Sequence, residues 1–509
     1  MADSKREIER KYEATAQTRL PDLSRVAGVS AVVHRGVSEL DAVYHDTEDL
    51  RLAAGSLTLR RRTGGSDAGW HLKFPVASGI RDELQEPLSD TLPRSFAGLL
   101  RSRLRGSELV PVVRLRTARD VHHLVDAEGA PLAEVAVDTV RAERLTGGDG
   151  TAAWTEIEVE LAENGDPALL DAVERRLRKA GVRPSALPSK LARALAETAP
   201  ERNRKEGTGG TTSRVTAGDH VLAYIRRQAE AIVTLDPAVR RDLPDSVHQM
   251  RVATRRLRSA LRTYRRILDR SVTDRVGDEL KWLAAELGID RDQEVLDARL
   301  RACLAALPRT LVLGPVHSRL RIWSVTRRGG SRQRTVAVLD GKRYLALLER
   351  LDTLLTTPPL LLPDASRAPE RELPRAVLKE YARLAARVGR ALELPPGHDR
   401  DLALHDARKA AKRARYAAEA ARPALGKPAK RFAKRMKAVQ TLLGDHQDSV
   451  VARDALRTLA AQAHAAGESA FTWGLLYGRE EAAAAAGERE LPGVWERAAR
   501  PRVRSALGG

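Results

Sequence analysis

The chain has 509 residues, with 88 Lys and Arg against 68 Asp and Glu and 42% hydrophobic side chains; this excludes both a single ordinary core and a disordered chain, and sets an expectation of two to four globular units. One cysteine, Cys303, excludes an internal disulfide and any cysteine-based zinc or iron–sulfur site. The net charge of +20 is unevenly placed: residues 1–213 hold 32 basic and 33 acidic side chains, residues 214–509 hold 56 and 35. An excess of 21 confined to one part favours a polyanion (nucleic acid, anionic membrane surface or polyphosphate), with a solvated arginine-rich surface as the bland alternative.

In chain order, MADSKREIERKYEA is charged from Lys5 onward, and no apolar run approaches the roughly 20 residues that a membrane helix needs. Neither a signal peptide nor a membrane span is expected, and the cytoplasm is the expected location. Short alternating runs follow, EIERKYEA, SLTLRRRT, GWHLKF, VVRLRT, LAEVAVDTV and WTEIEVELA, separated by glycine-rich turns. They predict antiparallel β structure, closed or nearly closed into a barrel, over residues 1–200. Residues 201–213, ERNRKEGTGGTTS, read as a linker. From 214 to 509 the apolar residues fall at helical spacing, so this part is expected to be all α.

The alternation puts charge on one face of several strands: Glu7, Glu9 and Lys11; Arg60 and Arg62; Glu156, Glu158 and Glu160. If these faces point inward, they enclose a tunnel with acidic and basic walls. Otherwise they are solvent faces, with Ile8, Ile157 and Val159 toward the core.

The order of the motifs resembles the CYTH superfamily, the triphosphate tunnel metalloenzymes. The series is E-x-E-x-K (Glu7, Glu9, Lys11), YHDT at Tyr44–Thr47, L-R-x-R at Leu59–Arg62, Lys73, Arg81 with Glu83, Thr117 with Arg119, Glu134 and Asp138, Glu156–Glu160, and Ser189–Lys190. It departs from the family at Gln85, where a further alternating glutamate is common, and no His-Phe pair precedes Glu7 as in the family's adenylate cyclases. The resemblance implies metal-dependent hydrolysis of inorganic triphosphate or short polyphosphate, with thiamine triphosphate or a nucleotide not separated from these. Lys11, Arg60, Arg62, Lys73, Arg116, Arg119 and Lys190 would clamp the phosphates. Glu7, Glu9, Glu156, Glu158 and Glu160 would hold Mg²⁺ or Mn²⁺, and Glu7, Glu9 and Lys11 would carry the chemistry.

The helical part repeats itself, over about 214–355 and 370–500. VHQMRVATRRLRSA from Val247 aligns with LHDARKAAKRARYA from Leu404, and LGIDRDQEV from Leu287 with LGDHQDSVV from Leu443, pairing Arg251 with Arg408, Gly288 with Gly444 and Asp292 with Asp448. His248, Arg251, Arg255 and Arg258 fall within a helical arc of roughly 80°, as do His405, Arg408, Lys412 and Arg415. The pattern resembles the CHAD domain, which implies two pseudo-symmetric four-helix bundles across a basic channel that binds inorganic polyphosphate, with His446 added to the two stripes and Asp290 opposite it in the first repeat. Association with polyphosphate granules would follow. A binding protein with an inactive tunnel is a second reading. A nucleic-acid-binding protein is a third, disfavoured by 4% aromatic residues and the lack of a stacking motif.

Overall fold

The computed structural model describes residues 3–199, 215–328 and 331–508, without the side chains of 3, 289–291, 328 and 331. The expected linker 201–213 and the side chains of Asp290 and Arg291 therefore lie outside the described residues. The chain divides into two compact units, Met1–Thr212 and Ser213–Gly509. Among the described residues no helix is long and apolar enough to cross a membrane.

The first unit is an eight-stranded antiparallel barrel. Its strands are β1 (Asp3–Ala14), β2 (Ala31–Asp46), β3 (Thr58–Thr63), β4 (Gly69–Ala77), β5 (Ile80–Glu86), β6 (Val110–Val125), β7 (Pro131–Arg144) and β8 (Thr151–Leu161). They run in the order β5-β4-β3-β2-β6-β7-β8-β1, and β1 closes the ring on β5. A two-residue β9 (Arg183–Pro184) adds to β1 beside Tyr12 and Glu13. Every strand of the ring pairs with a neighbour on each side over at least part of its length, so the interior can be charged while the backbone around it is paired.

Both alternatives for the charged strands turn out to be partly true. The charged positions face inward, and the intervening apolar ones do face a core, which lies outside the barrel wall. Ile157, Val159, Leu161, Val135, Leu124 and Tyr12 pack there with Leu170, Val173 and Leu177 of α3 (Pro167–Lys179). At one end the interior itself becomes apolar: Ala42, Leu115, Val140, Ala142 and Trp154 meet Leu191 and Ala194 of α4 (Lys190–Glu197). Two further helices, α1 (Arg51–Ala54) and α2 (Arg94–Leu104), complete this unit, and Phe96, Leu99 and Leu100 of α2 pack with Leu59, Leu72 and Leu84.

The second unit is all helical, as its periodicity predicts. Its helices are α5 (Ala217–Arg240), α6 (Ser246–Thr263), α7 (Arg270–Glu286), α8 (Gly288–Ala305), α9 (Val316–Arg328), α10 (Ser331–Asp340), α11 (Lys342–Thr356), α12 (Pro369–Glu393), α13 (His398–Ala465), α14 (Phe471–Ala499) and α15 (Pro501–Gly508). A capping box between Thr216 and Asp219 starts α5, and Gly426, at φ 59°, breaks α13 into two straight pieces.

Two hydrophobic cores form, and both draw on both repeats. The larger joins α5, α6, α7 and α11 to α12, most of α13 and the end of α14. The smaller joins Leu296, Leu300 and Trp323 of α8 and α9 to Leu456 and Leu459 of α13 and Trp473 of α14. The repeat boundary is thus not a boundary between separately cored bundles: α13 is long enough to contribute to both cores, and its two ends bury different helices of the first repeat.

Candidate functional site

The barrel interior holds a cavity of about 430 Å³ lined by Glu7, Glu9, Lys11, Arg60, Arg62, Lys73, Arg119, Glu158, Glu160 and Lys190. Ten of the twelve residues expected there are therefore brought together. Arg116 is a correction: it is exposed, because three positions separate it from Arg119 on β6 and alternation puts the two on opposite faces. Glu156, expected as a metal ligand, stands beside the cavity with Asp138 and Glu158. It faces inward but does not line the cavity; it accepts from Trp154 Nε1 at 2.6 Å and meets Lys190 at 2.8 Å. Lys5 and Asp67 line the cavity as well, outside the expected set. Lys5 shares the Glu7 face of β1 and lies 2.5 Å from Glu160, a placement that strand parity alone signals. Asp67 lies in the turn after β3, where no periodicity points to it.

The charges are sorted within the cavity. Lys73 Nζ lies 2.6 Å from Glu7 and 3.5 Å from Glu83, while His71 Nδ1 meets Glu83 at 2.8 Å. Lys11 meets Glu158 and, at 3.2 Å, Glu9. Arg119 forks onto Asp138 at 2.8 and 2.6 Å and reaches Glu158 at 2.5 Å. Lys190, the first residue of α4 after the Ser189 cap, sets its ammonium 2.8 Å from Asp138, 2.8 Å from Glu156 and 2.5 Å from Glu158. That carboxylate trio could otherwise hold an ion, but the ammonium already takes its place. Gln85 lines the cavity and donates to the Asp67 carbonyl at 3.3 Å.

Two groups are displaced from their ordinary pKa by burial although each has an ion-pair partner. Burial, reinforced by Glu83 and Glu160, pushes Glu7 up to about 7 despite Lys73. Burial, reinforced by Arg60 and Arg119, pushes Arg62 down to about 9, although Asp67 touches it. Glu7 is thus crowded by carboxylates and Arg62 by guanidinium groups, each beyond what its one partner offsets. Among the expected metal ligands lining the cavity, Glu7 is held up, whereas Glu9 pairs with Lys11 and Glu160 with Lys5, so a divalent ion there would compete with these lysines for the carboxylate oxygens. Glu158 is the least suited of the expected ligands: Lys11, Lys190 and Arg119 surround it and hold its carboxyl well below the usual range against its burial. Arg60, Arg62 and the adjoining lysines fit phosphate oxygens.

In the helical unit the aligned residues make matching contacts. Arg251 of α6 forks onto Asp292 at 2.8 and 3.1 Å, and Arg408 of α13 approaches Asp448 at 3.6 Å. Each guanidinium lies over the aligned glycine, so that a Cβ on Gly288 would meet Arg251 at 3.0 Å and one on Gly444 would meet Arg408 at 3.3 Å. The Nε atoms of both arginines are buried without a hydrogen-bond partner. Between them lie Arg255 and Lys412, with no ion-pair partner among the described residues. Burial, together with Arg251 and Arg408, lowers Arg255; burial with Arg255, Arg408 and Arg251 pushes Lys412 down to about 7. This concentration of half-buried positive charge is a candidate anion site.

The rest of the two stripes diverges from it. His248 and His405 lie one turn before Arg251 and Arg408, both half-buried, and His405 Nδ1 has no partner. Arg258 lines a separate cavity with Arg262, Arg265 and Asp278. Arg415 is held by Glu419 at 3.4 Å, one turn along, and Glu419 also takes Arg256 at 3.1 Å. His446 is a correction as a polyphosphate ligand: its Nε2 sits 3.3 Å from Asp401 and 3.1 Å from Glu488, where an anion would meet two carboxylates.

Comparison with known proteins agrees with this division. The CYTH domain family matches residues 5–194 and the CHAD domain family residues 223–457. An uncharacterised protein of Mycobacterium tuberculosis, found in two strains, is 38% identical over 492 residues, 93% of this chain and 92% of the relative. Among solved structures, PptA from Streptomyces chartreusis aligns at TM-score 0.47 with 20% identity, over 55% of this chain and 99% of its own. The CHAD domain from the plant Ricinus communis aligns at 0.39 with 25% identity, over 59% and 97%. The chain belongs to the proteins that join a CYTH domain, here the charged barrel, to a CHAD domain, here the helical unit.

Proposed function

We propose that the barrel hydrolyses a phosphoanhydride bond of inorganic triphosphate or short polyphosphate with Mg²⁺ or Mn²⁺, and that the helical unit binds inorganic polyphosphate. The observation that carries the first half is one cavity lined by both carboxylates, Glu7, Glu9 and Glu160, and cations, Arg60, Arg62 and Lys73, with burial holding Glu7 up and Arg62 down. A triphosphate with a divalent ion would suit both sets, with oxygens toward Arg60 and Arg62 and the cation toward Glu7, Glu9 and Glu160. These three carboxylates would hold such an ion, which would supply charge neutralisation and a more acidic water.

The chain's own residues supply the rest. Arg60, Arg62 and Lys73 neutralise and orient non-bridging oxygens. Lys190 and Arg119 are held in place by Asp138 and Glu158, so their charges are preorganised rather than recruited during the reaction. The apolar plug of Trp154, Val140 and Leu191 borders this end of the cavity and limits water there. For the helical half, Arg251, Arg255, Arg408 and Lys412 present half-buried positive charge with no base-reading element, which suits a repeating phosphate chain.

The test is phosphate release from triphosphate and from polyphosphate with Mg²⁺, with Mn²⁺ and with excess EDTA, alongside binding of labelled polyphosphate. Metal-dependent release that stops in EDTA is expected. Undiminished release in EDTA would overturn the catalytic half, and polyphosphate binding no tighter than that of a DNA duplex at equal ionic strength would overturn the other.

A further inference from the structure

The outer face of the barrel carries a second group of donor atoms, unrelated to the cavity. His34 Nε2 lies 2.7 Å from Asp120 Oδ1, and His122 Nδ1 lies 4.0 Å from the same oxygen. The His34 and His122 rings are 4.9 Å apart, tilted by 35°. One ligand atom from each of the three residues falls within 4.8 Å of the other two. His122 Nδ1 is buried and has no hydrogen-bond partner.

A bulge in β2 builds this group. Ser38 pairs with Arg119 and Val37 with Asp120, so an uninterrupted ladder would place Arg35 opposite His122. The register shifts between His34 and Gly36, with Gly36 at φ +93°, and His34 takes that place instead. Arg35 is turned away, its Nε donating to His123 Nδ1 at 3.2 Å. The bulge thus exchanges a cation for an imidazole opposite His122, two positions along β6 from Asp120 on the same face.

The geometry points to a transition-metal site formed by His34, Asp120 and His122. Two imidazole nitrogens and one carboxylate oxygen suit Zn²⁺, and Co²⁺ or Ni²⁺ in its place, in preference to the all-oxygen chemistry of Mg²⁺. Donors to a common zinc at about 2.1 Å stand about 3.4 Å apart in a tetrahedral arrangement. The two separations from Asp120 straddle that value and the His34–His122 donor separation lies within 4.8 Å, so rotation of the exposed His34 ring and the half-buried His122 ring is what brings the three donors to a common ion. The fourth position opens to solvent, since the His34 side chain is 56% exposed.

The experiment uses the full chain, stripped with chelator and carrying Glu7→Gln and Glu9→Gln so that the cavity does not compete. Zn²⁺ is titrated calorimetrically and Co²⁺ is followed by its visible d–d absorption. One tight site is expected, with a cobalt band indicating nitrogen ligation and a rise in thermal midpoint on adding Zn²⁺. His122→Ala should weaken binding more than about 100-fold, beyond what loss of a supporting residue costs, and abolish the band. His34→Ala, at an exposed position, gives the same reading if His122→Ala unfolds the barrel. No zinc binding at micromolar concentration, or an unchanged site and band in the His34→Ala chain, would overturn the assignment.

Discussion

Glu7 and Lys412 are in mirrored situations: a buried carboxylate held up to about 7 and a half-buried ammonium held down to about 7. Lys412 has no ion-pair partner among the described residues, and Glu7 stays high through burial and Glu83 in spite of Lys73, so each favours a ligand of opposite sign. For Glu7 the expected outcome of Glu7→Gln with Glu9→Gln is loss of metal-dependent phosphate release by at least about 100-fold, with the barrel's thermal midpoint little changed. A variant that retains turnover while failing to bind Mn²⁺ would contradict it. For Lys412 the sign can be worked through. Its folded value lies below the ordinary 10.5, so between about pH 7 and that value the folded chain binds fewer protons than the unfolded one. Stability without ligand therefore rises with pH across that window, and the protonated lysine opposes folding below it. A polyanion reverses the preference by favouring the ammonium. Polyphosphate should bind more tightly at about pH 6 than at about pH 8.5, and Lys412→Arg, which stays charged, should flatten that dependence. An identical slope in the arginine variant, measured by fluorescence anisotropy, would show that another group titrates.

At the level of elements, helix packing turns on the two glycines beneath the paired arginines. Gly444 lies within α13, where alanine would favour the helix by up to about 1 kcal/mol, yet its added methyl would press on the Arg408 guanidinium at 3.3 Å. Gly444→Ala should therefore leave stability unchanged or raised while weakening polyphosphate binding, and Gly288→Ala should weaken it further because its contact is tighter, at 3.0 Å. Parallel losses of stability and binding would mean that the glycines serve packing alone. These pairings are legible in the sequence, since the repeat by itself aligns Arg251 with Arg408 and Gly288 with Gly444. So is the inward face of β1 and β8, because parity and motif order agree. Arg116 does not share the face of Arg119, and Arg415 is taken by Glu419; their spacings, three in a strand and four in a helix, carry both answers against the motif resemblance. Other features have no local signal. β2 mixes charged, glycine and apolar residues across a bulge, so its sixteen-residue length does not show as alternation. The carboxylates around His446 come from opposite ends of the second repeat, and the sharing of both cores by both repeats depends on the reach of α13.

At the level of the whole molecule, an excess of 21 charges after residue 213 does not by itself choose between a specific channel and a sticky surface. Position decides between them. Arg251, Arg255, Arg408 and Lys412 converge, and burial depresses two of them, so a bound anion gains from charges that water solvates poorly. Arg489, Arg497, Arg500 and Arg502 are exposed along α14 and the start of α15, where water and salt already screen them. Replacing either set by alanine removes four charges from the same +20 chain. The half-buried set should abolish most polyphosphate binding and reduce the slope of log K against log salt by up to about four, one for each phosphate no longer neutralised. The exposed set should change the affinity by less than about tenfold and leave most of that slope intact, because few of its counterions are released on binding. Binding isotherms for both variants over a range of salt concentrations separate the two cases: parallel losses in the two sets would mean that net charge alone attracts the polyanion, and the paired arginines of α6 and α13 would then be a packing device of the repeat.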